Sequence, residues 1–315
     1  MPEHIFPNRN ADLRFFVVLI IALCLLFGVS MIAGSRVDRS DHSVPTELVQ
    51  PAFPPVALKA KSAYVYDVRT EQVLYARDEN VRLPLASLTK LMVALVAYEE
   101  APAYGTVTVG REALAAEGDS GLLTDERWSL KDLIDFSLIS SSNDGMRAVA
   151  LSLGALDRSL VSEKDIINDF VVSMNSKASE LSLKNTYFWN ETGLDESAVK
   201  GGAYGSAKDI STLLHYMLTR YPELLHATRR PLSQLTSLDN EVHVARNTNP
   251  IALTIPGLLA SKTGYTQIAG GNLAFAFDPE IGRPIIVVIL GSTSAGRFED
   301  AEELVNATMA YIHQQ

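Results

Sequence analysis

Three short stretches of this 315-residue chain carry side chains suited to nucleophilic chemistry. The first is Ala86-Ser87-Leu88-Thr89-Lys90, which opens an apolar run over 88–98. Residues three apart on a helix share a face, so the Lys90 amine can reach the Ser87 hydroxyl. A desolvated lysine can take the proton of that hydroxyl and turn a weak nucleophile into a strong one. The second stretch is Ser140-Ser141-Ser142-Asn143-Asp144-Gly145, between two apolar segments. The third is Lys262-Thr263-Gly264, at the end of a β-prone run. Taken singly, the second reads as a pair of helix caps and the third as a strand followed by a glycine turn. The six histidines, His4, His42, His215, His226, His243 and His313, show no ligand pair at helical spacing, so neither zinc nor any other cofactor is expected.

These stretches need elements to hold them. Two β-prone runs in 62–77 flank Arg69-Thr70-Glu71 and predict a hairpin. Pro84 ends the extended segment, and a helix begins at Ser87, which places the hydroxyl at the positive end of the helix dipole. Helical periodicity continues over 130–138, capped by Ser129, and over 143–153, 164–181 and 206–220. Three apolar runs at 258–263, 272–277 and 284–290 predict strands, and 298–313 closes as a helix. Strands at both ends of the domain therefore bracket a helical middle. The expected class is α+β: one antiparallel sheet flanked by helices, with a helical lobe inserted between its strands.

Charge and hydropathy bound the rest. The net charge of −10 argues against a nucleic-acid partner, because phosphate binding needs a basic surface. Cys24 is the single cysteine, so no intrachain disulfide can form. Residues 15–34 carry no charge and match the thickness of a bilayer core, which predicts a single transmembrane anchor or an export signal, with 1–14 on the cytoplasmic side. Residues 35–57 are polar and then proline-rich, as in an extended extracytoplasmic linker, and the catalytic domain is expected over 58–315.

Taken together and in this order, Ser-x-x-Lys, Ser-x-Asn and Lys-Thr-Gly resemble the serine-peptidase constellation of penicillin-binding proteins and serine β-lactamases. The resemblance implies that Ser87 attacks a carbonyl and Lys90 accepts its proton. Ser141 would hand the proton to the departing amine, and Asn143 would hold the substrate amide. Lys262 would lower the pKa of Lys90. Thr263 and Gly264 would line the strand on which a peptide docks, and the backbone N–H groups of Ser87 and Tyr265 would receive the oxyanion.

The likeness extends from about residue 62 to the C-terminus. It includes Phe170-Val171, Met174-Asn175-Ser176-Lys177-Ala178, Asn185-Thr186-Tyr187-Phe188, Gly193-Leu194, Ser206-Ala207-Lys208-Asp209 and Ala269-Gly270. These residues resemble low-molecular-mass D-alanyl-D-alanine carboxypeptidases and endopeptidases. That family implies a peptidoglycan stem peptide ending in D-Ala as substrate, β-lactams as covalent inhibitors, and an extracytoplasmic site at the cell membrane. Arg297 is the candidate partner of the substrate's terminal carboxylate; the alternative is a surface arginine capping a helix. Two positions depart from the family pattern: Ser142 and Ser182 stand where glycine is usual. A class A β-lactamase would need a Glu-x-x-Leu-Asn motif, which Glu180-Leu181-Ser182-Leu183-Lys184 imitates weakly. A catalytically silent, membrane-tethered scaffold is the non-enzymatic alternative.

Overall fold

Alternation along two strands decides the architecture. The computed structural model describes residues 52–154 and 162–315. Its main sheet has the order β10-β11-β12-β1-β2, every neighbouring pair antiparallel. The strands are β1 (Ser62–Asp67), β2 (Gln72–Arg77), β10 (Leu258–Thr266), β11 (Gly270–Phe277) and β12 (Ile285–Ser292). The first and last strands of the domain are thus neighbours, as expected. On β12, Ile286, Val288 and Leu290 enter one apolar cluster, while Ile285, Val287 and Ile289 enter another. β11 divides the same way, with Ala274 and Ala276 on one face and Leu273, Phe275 and Phe277 on the other. Side chains alternate across a pleated strand, so a continuously apolar strand signals a sheet covered on both faces.

One face is covered by α6 (Gly296–Ile312) through Ala301, Leu304, Val305 and Ile312. The other carries the helical lobe. There α1 (Thr89–Glu100) is buried on all sides from Thr89 to Ala97, as a central helix must be. Around it stand α2 (Leu130–Ser140), α3 (Asn143–Gly154), α4 (Glu163–Glu180) and α5 (Ala207–Arg220). Ser129, Ser162 and Ser206 each cap a helix by accepting the N–H three residues on.

Several short strands were not foreseen. β3 (Leu83–Pro84), at the end of the segment read as extended, forms a small sheet with β6 (Tyr187–Phe188) and β7 (Ala203–Gly205), which lie inside the region read as mostly helical. β4 (Thr106–Val109) pairs with β5 (Glu126–Ser129), and β8 (Leu232–Thr236) with β9 (Val242–Arg246). Two- and three-residue strands have too short a period to register in sequence, and the β8–β9 hairpin exposes Leu232, Val242 and Val244 rather than burying one face. The domain also begins earlier than residue 58: Phe53 packs its ring on Tyr75 and Tyr311, and Val56 joins the same cluster. Among the described residues no helix is long and apolar enough to cross a membrane. The expected anchor at 15–34 lies outside them.

Candidate active site

Ser87 lies in a one-turn 3-10 helix (Ala86–Leu88) immediately before α1, half-buried, with Lys90 in the first turn that follows. Its approach is held by the main sheet: the Asn272 amide donates to the carbonyls of Pro84 and Leu85, and its own carbonyl accepts the Gly291 N–H. Ala86 adopts a left-handed φ of 49°, an unfavourable conformation for a residue with a Cβ. Gly193 lies so close that a Cβ there would fall 2.0 Å from the Ala86 carbonyl oxygen. The turn that presents the nucleophile is thus strained and enclosed from both sides.

Lys90 is fully buried, and its Nζ meets three oxygens: Ser87 Oγ at 2.9 Å, Asn143 Oδ1 at 2.7 Å and the Thr192 carbonyl at 2.9 Å. Burial lowers its pKa from 10.5 to about 7, against an opposing effect of Glu191. Lys262 was expected to depress Lys90. Desolvation is the largest cause, and the repulsion between the two amines, which is mutual, adds to the fall of Lys262, whose pKa drops well below the lysine range through burial first, then Lys90 and Arg297. Lys90 is therefore neutral in a substantial fraction of molecules near pH 7 and can take the Ser87 proton.

The three serines of the second stretch divide their tasks. Ser140 donates to the Phe136 carbonyl, and Ser142 accepts the Gly145 N–H at the start of α3. Capping, the plain structural explanation, holds for Ser142, while Ser140 only back-bonds within its own helix. Ser141 sits at the C-terminus of α2 with φ 61°, and its Oγ accepts from Lys262 Nζ at 2.9 Å. With its lone pair so engaged, the Ser141 hydroxyl can donate to a leaving amine. The left-handed residue is Ser141 and not Ser142, so the departure at 142 imposes no positive φ there. Asn143, expected to hold substrate, is occupied on both sides: Oδ1 holds Lys90, and Nδ2 donates to the Glu117 carbonyl. One N–H of its amide remains for a substrate carbonyl.

Lys262-Thr263-Gly264 lies within β10, which continues to Thr266, and not at the end of the strand. Gly264 is required there by close approach: a Cβ would lie 2.8 Å from the Leu85 carbonyl and 3.2 Å from the Ser87 nitrogen. That contact brings the β10 edge beside the Ser87 N–H, where an oxyanion would be received together with the Tyr265 N–H. The Thr263 hydroxyl is hydrogen-bonded to Thr248 Oγ1 at 2.6 Å, and the Tyr265 ring is half-exposed. Arg297 is no surface arginine. It is buried in the first turn of α6, donates to the Gly264 carbonyl at 2.6 Å, and stacks 4.7 Å from the Phe298 ring. Its Nε is buried without a partner among the described residues, a donor left for an anionic ligand.

Sequence reasoning missed the loop after β6. Thr192 binds Lys90 through its carbonyl, and Glu191 is wholly buried beside it. A backbone acceptor has no side-chain signature, so no residue type could have announced Thr192.

A serine made nucleophilic by a buried lysine, beside a second lysine on an edge strand of a five-stranded antiparallel sheet, defines the penicillin-recognising serine acyltransferases. The family model for D-alanyl-D-alanine carboxypeptidases, peptidase family S11, matches residues 48–294, and the chain belongs to that family. It is 31% identical over 282 residues to the D-alanyl-D-alanine carboxypeptidase DacF of Bacillus subtilis, covering 87% of this chain and 66% of that one. It is 32% identical to a D-alanyl-D-alanine endopeptidase of Pseudomonas aeruginosa, over 78% of this chain and 76% of that one. Among solved structures, penicillin-binding protein D2 of Listeria monocytogenes in its ampicillin-bound form superposes with a TM-score of 0.66 at 29% identity, over 81% of this chain and 99% of that one. The chain thus spans about two thirds of the length of DacF.

Proposed function

We propose that the protein is a serine-type D-alanyl-D-alanine carboxypeptidase acting on peptidoglycan stem peptides. The observation that carries this reading is the contact of Lys90 Nζ with Ser87 Oγ at 2.9 Å, in a pocket whose burial brings the lysine pKa down to about 7. Ser87 attacks the penultimate D-Ala carbonyl and Lys90 receives the proton. Negative charge on the carbonyl oxygen is met by backbone N–H groups at Ser87 and β10. Ser141 returns a proton to the departing D-Ala nitrogen, and Arg297 meets its carboxylate. Water then releases the shortened peptide from Ser87. A β-lactam enters by the same attack and stays as a long-lived ester. The domain works outside the cell, tethered through the uncharged run at 15–34.

The β-lactamase reading loses its water-activating residue. Glu180 lies at the exposed end of α4, paired with Lys177 at 2.7 Å. The scaffold reading must explain why every reacting side chain is present and in contact. Labelling of the full chain by a fluorescent penicillin, abolished by Ser87→Ala, is the expected outcome. Rapid hydrolysis of the penicillin would favour the β-lactamase, and absence of labelling would favour the scaffold. The P. aeruginosa relative is named an endopeptidase, so cross-link cleavage is the second activity to assay. Products from a stem pentapeptide and from a cross-linked dimer separate the two.

A further inference from the structure

The loop between β6 and β7 holds a wholly buried carboxylate for which the reaction above has no use. Glu191 accepts from Arg147 Nε at 2.8 Å through one oxygen, and its other oxygen is buried with no partner among the described residues. Arg147 stands one turn beyond Asn143 on α3, and Glu191 immediately precedes Thr192. These same two elements supply Lys90 with the Asn143 Oδ1 and the Thr192 carbonyl. The ion pair therefore joins, one turn further along α3, the two walls that meet at the general base. An ion pair in such a place is a poor source of stability, because desolvation of the charges offsets their attraction, and apolar replacements often do as well. A purpose other than stability is called for. The charged groups around Lys90 are Glu191, Asp144 and Arg147, and Lys262 on β10 with Arg297 behind it. The two carboxylates favour the ammonium, and of them Glu191 is the one that weighs on Lys90.

We propose that Arg147 and Glu191 form a positioning pair for Lys90. They hold the Asn143 amide and the Thr192 carbonyl against Nζ and set a buried negative charge beside it, so that the lysine can keep the Ser87 proton until the C–N bond breaks. The proton leaves Ser87 Oγ as the Oγ–C bond forms and rests on Lys90 Nζ; as the C–N bond breaks, the Ser141 hydroxyl gives its proton to the departing nitrogen and is reprotonated from Lys90. This inference rests on the serine acyl-transfer reading of the site.

The test is the pH dependence of acylation of the full chain by a fluorescent penicillin. Glu191→Gln keeps the shape and removes the charge. Its acidic limb should move about one pH unit below that of the wild type, because loss of a nearby negative charge makes Lys90 easier to deprotonate. The plateau rate should fall roughly tenfold, since the lysine is then the weaker base. Arg147→Met/Glu191→Leu removes both charges and leaves neither partner buried alone; its limb should move in the same direction but by less, because the lost Arg147 charge acts on Lys90 in the opposite sense, and its plateau rate should fall because the two walls are no longer joined. A wild-type limb midpoint in folded Glu191→Gln, or a wild-type plateau rate in the folded double variant, with only the melting temperature altered, would make the pair purely structural and overturn the proposal. No acylation of the wild type at any pH would instead remove the acyl-transfer reading, and this inference with it.

Discussion

Two lysines share one small site, and burial decides the state of both. Lys90 titrates near pH 7, so acylation by penicillin should rise with pH along a limb centred near that value and level off above it. The same pKa has a stability consequence. Below pH 7 both the folded and the unfolded chain hold the Lys90 proton, and the full cost of burying the charge is present. Between about 7 and 10.5 only the unfolded chain holds it, so the folded state gains with rising pH, and above 10.5 nothing further changes. Lys90→Met removes this titration. Its stability advantage over the wild type should shrink by up to about 1.4 kcal/mol per pH unit between pH 7 and 10, measured by denaturant unfolding. An advantage that stays constant across that range would put the folded-state pKa elsewhere. Arg297 should act on binding and not on chemistry. Arg297→Ala should raise KM for a peptide with a free terminal carboxylate by roughly tenfold or more, and should leave the amidated peptide little changed.

Several elements are placed by single residues whose purpose the sequence announced only as family likeness. Asn175 on α4 exchanges hydrogen bonds with both the N–H and the carbonyl of Phe188, tying β6 to that helix. Asp209, within the cap of α5, accepts from the Asn185 N–H and the Thr186 hydroxyl. These are scaffold contacts, and the Ser206 cap itself was legible because capping is a local pattern. Backbone approach is another matter. Gly264→Ala would press a methyl against the Leu85 carbonyl and the Ser87 nitrogen, so acylation should fall by two orders of magnitude or more. Circular dichroism and the melting curve would show whether the sheet survives, and an active, well-acylated Gly264→Ala would refute the close approach. Ser182 is the converse case. Its φ of 58° costs about 1 kcal/mol or more in a residue with a Cβ, part of which glycine returns as chain entropy in the unfolded state. Ser182→Gly should therefore stabilise the domain by roughly 0.5 kcal/mol without touching the kinetics.

Across the whole molecule, the two ends of the domain are joined by charge as well as by the β1–β12 ladder. Arg283, nearly buried, donates through Nε to the buried Asp67 at 2.8 Å and through Nη2 to Gln315 at 2.5 Å. Asp67 also accepts the N–H groups of Arg69 and Thr70, and so shapes the first hairpin turn. Arg283→Ala would leave a buried carboxylate with backbone partners alone. It should cost about 3–5 kcal/mol, a fall in melting temperature of roughly 10 °C, with the catalytic pH profile unmoved.

The contact of Ser87 with Lys90 could be read from the chain alone, because they are three residues apart and helical geometry brings them together wherever the helix lies; the roles proposed for them came from the three motifs taken together. The sheet, too, was legible at its ends, since continuously apolar strands such as 285–290 must be covered on both faces. The state of Lys90 could not be read in this way. Its pKa near 7, its Thr192 contact, the Arg147–Glu191 pair behind it and the inward position of Arg297 all depend on what lies 100 or more residues away in some cases, and on how completely water is removed. Periodicity is a property of a few consecutive residues. Desolvation belongs to everything packed around a group, and only the tertiary structure decides it.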